Sequence, residues 1–440
     1  MGPRNNIHLM WARWCVIAFV LLTPLSIPLG PDAVNVQWSD LAAVGFLVAM
    51  IGSGGWRFGQ IPRAVGIAMA CYVGCSLPSL WQTHHLSGSI LELTKTVYVA
   101  ALGLALTQWA SRPGEWFVLA KASALAVGAM LALSLGAWIY AVWSGHVASS
   151  FLIAMAVPNV GQILRVKGTL FTPTLLANYI TMGLPLLAGV LAAHTRWPRA
   201  TSWTTLLVGV LVAVATASHS LAGCLLAAAL VAPRQHRVER MARRGLAALA
   251  AATMVAAWVM TTISVYQFQT TRQPAASPPV AAAPHDFLGP QGTGEELTVR
   301  IHYGWVWYGL AKRFAWEAWQ RHPWIGIGVG EFPHVVVQAA HAGRIHALYA
   351  GGADPHSTWY GTLAETGGIG LLGLLGFWIV LLRLGVSAQR RLAGSGEAWR
   401  VQAPLAGLAG LLVNSVHVDV MHFRFLWVGV ALLLAARRGR

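Results

Sequence analysis

Apolar runs about as long as a bilayer is thick recur along this chain, and no other feature limits its possible folds as strongly. Twelve are legible, at 10–29, 38–52, 64–82, 88–108, 116–143, 174–193, 201–217, 219–233, 243–264, 358–382, 401–417 and 420–436. A helix crossing the hydrocarbon core needs about 20 largely apolar residues. Backbone polar groups in lipid must be satisfied inside the protein, which favours helices. The runs at 38–52 and 219–233 are the shortest. Only 10% of the 440 residues are charged, against about 25% in soluble proteins. The expectation is an all-α polytopic membrane protein with about twelve transmembrane helices.

The distribution of positive charge orients these runs. With the N-terminus inside and strict alternation, 19 of the 30 Lys and Arg fall at the cytoplasmic face. Nine fall outside: Arg165, Lys167, Arg272, Arg300, Lys312, Arg313, Arg321, Arg344 and Arg424. Lys95 and Lys121 lie within spans. This asymmetry follows the positive-inside rule and puts both termini in the cytoplasm. It also accounts for most of the net charge of +16. Nucleic acid is not an expected partner, because the arginines are scattered over short loops and form no basic face. The first run is long and lacks a small-residue cleavage site, so it reads as an uncleaved span. Cys15, Cys71, Cys75 and Cys224 all fall inside predicted spans and read as small buried apolar residues.

Three regions result: 1–264 with nine spans and an outer segment at 142–173, one large outer loop at 265–357, and 358–440 with three spans. In the large loop, 267–294 is rich in Pro, Ala, Gly and Thr and reads as irregular. The stretch 295–320 opens with two Glu and continues without Pro, which predicts a helix with an acidic first turn. Its Trp305, Trp307, Trp316 and Trp319 suit the water–lipid boundary. Pro323 ends it, Gly326, Gly328 and Gly330 allow backbone that bulkier residues resist, and a short helix is expected over 332–342.

Ionisable groups gathered at one membrane face are expensive to place there and mark candidate functional positions. Arg313 shares a helical face with Glu317, which by itself reads as an exposed ion pair. Its functional reading is a guanidinium offered to an anionic headgroup, since arginine matches phosphate with two parallel donors. Arg165 and Lys167 precede the span at 174–193. They read either as snorkelling cations or, because the outer side disfavours cations, as groups with a task. His356 stands at the mouth of the span at 358–382, where an imidazole titrating near neutrality could take a hydroxyl proton. Glu365 lies inside that span and reads as a structural partner for a basic or polar group. Lys167, Arg300, Glu365 and Trp316 are supporting candidates. His322, His334, His341, His346, His417 and His422 form no H-x-x-x-H pair with a carboxylate, so no metal site is expected.

Two motifs carry a family resemblance. Arg313 is followed by W-x-x-W-x-x-H-P-W-I-G-I-G-V-G-x-F, and His356 is followed by A-E-T-G-G-I-G-L-L-G from Ala364. Together, and with the looser R-V-K-G-T-L-F-T-P-T-L-L-A-N-Y from Arg165, they resemble the O-antigen ligase and polymerase superfamily. Twelve spans with one large periplasmic loop between the ninth and tenth also resemble the ligase pattern. Many members carry His-Asn, whereas Ser357 follows His356 here. The resemblance implies a C-type, all-helical membrane glycosyltransferase in the Gram-negative inner membrane. It would move a glycan from undecaprenyl diphosphate onto lipid A–core at the periplasmic face, inverting and without metal or cofactor. It implies diphosphate-binding roles for Arg165 and Arg313 and a catalytic base in His356. O-antigen polymerase and protein O-oligosaccharyltransferase share this donor chemistry. A lipid-linked oligosaccharide flippase is the alternative from another class. It would carry more charge within its spans than Glu92, Lys95, Lys121 and Glu365 provide.

Overall fold

The computed structural model describes residues 3–26, 36–54, 61–146, 150–157, 161–233, 236–270, 294–345 and 354–437. Side chains at 3–6, 154–157, 161–162, 260–270 and 294–306 lie outside that description. Of the described residues, 76% are helical and almost none are in sheet. In order come α1 (Pro3–Leu22), α2 (Trp38–Gly52), α3 (Arg63–Gly74) with a 3-10 turn after it (Leu77–Gln82), α4 (Leu86–Ala110) and α5 (Glu115–Ser144). A hairpin of β1 (Leu152–Val157) and β2 (Gly161–Val166) follows, then α6 (Pro173–Ala193), α7 (Pro198–Ala215), α8 (Leu221–Val231) and α9 (Arg237–Thr270). The remainder is α10 (Gly294–Arg321), α11 (Phe332–His341), α12 (Thr358–Arg391), α13 (Trp399–Asn414) and α14 (Arg424–Ala436).

Among the described residues, six helical stretches are long and apolar enough to cross a membrane: Arg63–Gln82, α4, α5, α6, α7 and α12. Ile7–Leu22, α2, α8 and α14 are apolar but shorter. Three local outcomes differ from the run-by-run expectation. The run at 64–82 is broken after Gly74, where Pro78 enters a 3-10 turn. The run at 219–233 yields only the 11 residues of α8. At 1.5 Å per residue that is about 16 Å, well short of the bilayer core. The outer segment at 142–173 contains the antiparallel hairpin, in which Ile153 pairs with Arg165.

α6 sits at the centre, packed against α5, α7, α8 and α13. α8 and α13 approach closely because both offer glycine: a Cβ on Gly223 would meet the Gly410 carbonyl at 2.2 Å. Polar groups tie the same region, as is common between membrane helices. Asn414 donates to Asn178 Oδ1 (2.9 Å) and accepts from the Gly223 amide (3.0 Å). Asn178 in turn donates to Ser220 Oγ (2.9 Å).

The glycine-rich turn after α10 serves α12. Helical geometry breaks at Gly367 (φ 66°). In an unbroken helix the amides of Gly368 and Ile369 would donate to the carbonyls of Ala364 and Glu365. Instead they donate to Pro323 (2.8 Å) and Trp324 (3.1 Å). The two carbonyls left over accept from Ile327 (2.9 Å) and Gly328 (3.0 Å). These two amides and two carbonyls, freed by the break, all find partners in the inserted turn, as buried backbone groups require. A Cβ on Gly367 would lie 2.3 Å from the Trp324 carbonyl oxygen. The exchange fixes the end of α10 against the middle of α12.

Candidate functional site

Five separate elements meet in front of the first turn of α12. Arg165, on β2, donates from Nε to the Thr216 carbonyl (2.8 Å), in the turn between α7 and α8. His219 follows that turn, and its ring lies 5.2 Å from Tyr308 of α10 and 5.6 Å from His417, in the loop after α13. Tyr308 is 4.6 Å from the ring of His356 and is hydrogen-bonded to Thr174, in the first turn of α6. Lys312, one turn further along α10, places Nζ 2.9 Å from His417 Nδ1.

His356 is held in an uncommon conformation. Its φ is 49°, in the left-handed region that non-glycine residues seldom adopt. Its amide donates to Asp354 Oδ1 (2.8 Å), a contact that holds the turn. Ser357, next in the chain, is the N-cap of α12 and accepts from the Tyr360 amide. The residue after the histidine therefore has a structural task here. Thr358 bolts the helix start to the loop after α13, through the Ser415 carbonyl (3.0 Å) and Asp419 Oδ1 (3.1 Å). Behind it, Asp419 holds His422 (3.2 Å), which faces Glu92 (3.5 Å).

The electrostatics of this chamber favour neutral bases. Burial lowers His356 below an ordinary histidine, and Lys312 adds to this while Asp354 opposes it. Burial, then Lys312, Arg165 and His356, push His219 down to about 4. Burial and Lys312 push His417 to about 3. Burial brings Lys312 down to about 8. Burial raises Asp354, the carboxyl beside His356. A chamber where cationic forms are disfavoured until a negative charge arrives can bind an anion and hold an unprotonated imidazole together.

The expected site residues divide. Arg165 and His356 are brought into this chamber. Arg313 is not among its contacts: it donates from Nε to Glu317 Oε1 (3.0 Å), and Glu317 Oε2 accepts from Arg344 (2.8 Å). That is the surface pairing its spacing suggests. Lys312 occupies the place in the chamber. Trp316 lies on the same outward side as Arg313, 42% exposed and 4.5 Å from Trp319. Lys167 lies just past β2, where its amide donates to the Phe151 carbonyl (2.9 Å). Arg300 is on α10, with its side chain outside the described residues. Glu365 Oε1 accepts from the Phe332 amide (3.3 Å), so its polar partner is the start of α11. Sequence reasoning passed over Lys312, Tyr308 and His219. Tyr308 and Lys312, four apart on one helix, carried the available signal.

A second cluster joins His85, Glu331 and His334. Glu331 is buried; burial alone would raise its pKa, but hydrogen bonds from Thr83 and His85 hold it at about 2. It accepts from the His84 (2.9 Å) and His85 (2.6 Å) amides and so holds the turn that leads into α4. The rings of His85 and His334 stack 3.5 Å apart, only 12° from parallel. Lone pairs in two parallel planes do not converge on one ion, so metal binding here requires one ring to swing out.

No protein-family model and no curated protein sequence matches the chain. What the fold defines is a class: a mostly helical, membrane-embedded protein, with six helices among the described residues long and apolar enough to cross a membrane.

Proposed function

We propose that the chain is a glycosyltransferase of the O-antigen ligase type. It would transfer a glycan from undecaprenyl diphosphate to a sugar of lipid A–core, at the periplasmic face of a Gram-negative inner membrane. The observation that carries this reading is the meeting of His356 with Arg165 and Lys312 in one half-buried chamber. The acceptor hydroxyl loses its proton to the neutral imidazole of His356 as its oxygen bonds to the anomeric carbon. The bond from that carbon to the phosphate oxygen breaks, and its electron pair leaves with the lipid diphosphate. Arg165 and Lys312 neutralise that leaving charge. Attack opposite the leaving group inverts the anomeric centre.

In this reading Lys312 takes the diphosphate role that the motif resemblance offers to Arg313. Because the diphosphate is already a good leaving group, the two cations suffice without a metal or cofactor. The same proposal includes twelve membrane crossings, the short α8 among them being packed inside α6, α9 and α13, with cytoplasmic termini and a periplasmic 265–357 loop, and the polyprenyl tail and membrane lipid against the apolar helices.

The test is reconstitution. Purified protein is given undecaprenyl-diphosphate glycan together with lipid A–core, a pilin-type protein, or a second lipid-linked glycan. Modified lipid A–core supports the ligase. A modified protein or a lengthened lipid-linked glycan reassigns the acceptor within the superfamily. Movement of the donor between leaflets without transfer points to a transporter and overturns the enzyme reading.

A further inference from the structure

His417 is 5% exposed, and its Nε2 has no hydrogen-bond partner among the described residues. Its Nδ1 lies 2.9 Å from Lys312 Nζ. An ammonium group can only donate, so Nδ1 accepts, and the neutral ring must carry its proton on Nε2. The ring stays neutral because burial and Lys312 push it to about 3. The consequence is a buried N–H donor with no acceptor among the described residues, beside a lysine and across a histidine from Arg165. Buried donors are ordinarily satisfied, and an orphan in a cationic chamber points to an acceptor that arrives from outside the chain.

We propose that His417 is a substrate-binding residue whose Nε2–H donates to a phosphate oxygen of a diphosphate lodged between Lys312 and Arg165. The inference rests on the lipid-diphosphate reading above and adds a neutral donor to its two cations. Such a donor contributes orientation: an N–H has one direction, whereas an ammonium group acts as a rotatable point charge. His417 belongs to the loop whose Ser415, Val418 and Asp419 anchor Thr358, two residues from His356. The phosphate contact and the base are thus carried on one locked unit.

Two substitutions separate this role from simple support of Lys312. In His417→Asn the amide oxygen can replace Nδ1 as acceptor for Lys312, but nothing replaces Nε2–H. In His417→Gln the amide nitrogen reaches the Nε2 position and the support for Lys312 is weakened. Full-length wild-type and variant proteins in nanodiscs, matched for melting temperature, are titrated with undecaprenyl diphosphate and separately with inorganic pyrophosphate. The expected result is a Kd roughly ten- to 150-fold higher in His417→Asn, the loss of one hydrogen bond to a charged group, with His417→Gln binding more tightly than His417→Asn. Wild-type affinity in His417→Asn, or His417→Gln binding no better than it, overturns the role of His417. Wild-type protein that binds pyrophosphate but not undecaprenyl diphosphate sinks the lipid reading and leaves the anion contact testable in the same variants. Binding of neither ligand overturns both.

Discussion

Lys312→Met is the most informative perturbation of the chamber. It removes the ammonium group and keeps an unbranched stem of similar length. Lys312 is half-buried, touches His417 at 2.9 Å, and has its pKa brought down to about 8 by burial. A hydrogen bond to a charged group is typically worth about 1.5–3 kcal/mol. At 1.36 kcal/mol per tenfold, kcat/KM at neutral pH should fall roughly ten- to 150-fold. The pH dependence sharpens the test. The useful form is the cation, so kcat/KM in the wild type should decline as pH rises through about 8. A bound diphosphate stabilises the ammonium group, so the same limb in kcat should lie at higher pH. Lys312→Arg, which stays charged, should lose the limb altogether. The assay is initial transfer rate in nanodiscs across mildly acidic to alkaline pH. Undiminished turnover in Lys312→Met, or a loss in Arg313→Ala as large as that in Lys312→Met, would refute the assignment and return the diphosphate to Arg313.

Three further outcomes are expected. His356→Ala should abolish transfer while the lipid diphosphate still binds, whereas His334→Ala and His341→Ala should do much less; EDTA should leave turnover unchanged. In the proposed mechanism the neutral ring is the base, and burial lowers its pKa, so activity should fall only as pH drops below the ordinary histidine value, and an acid limb above it would contradict that. Gly367→Ala must fit a Cβ 2.3 Å from the Trp324 carbonyl at a φ of 66°; overpacking of this kind costs about 1–3 kcal/mol, so melting temperature in detergent should drop, and an unchanged value would remove the inserted turn from its role. In a cysteine-free background, Gln291→Cys should label from outside intact spheroplasts and Val238→Cys should not, and the reverse pattern would invert the proposed topology.

Much of the helical framework was legible because it is local. A long apolar run in lipid has little choice but a helix, and α4, α5, α6 and α12 fall where their runs lie. Breaks within runs were harder to read. Ala217, at φ 44°, helps turn the chain ahead of α8, and nothing in an apolar run announces such a residue. The short hairpin at β1 and β2 also escaped, since its strands satisfy each other across a turn and not through a long periodic pattern.

The site shows the same division. The motif drew attention to Arg313, yet α10 buries Leu310, Ala311, Phe314, Ala315 and Ala318. In that helical phase, one residue is a rotation of about 100°, enough to put Lys312 in the chamber and Arg313 with Glu317 on the surface. The glycines of the P-W-I-G-I-G-V-G turn were recognised as conformational. Their partners, the backbone groups freed at Gly367, became visible only once α10 lay against α12. By itself the sequence determined which segments are apolar enough to form long helices, roughly where helices begin, and that cations and a histidine gather in and around one long polar loop. Tertiary structure alone decided which of those groups meet. Arg165, Lys312, His356 and His417 come from distant positions, and their convergence depends on long-range packing that no local periodicity encodes.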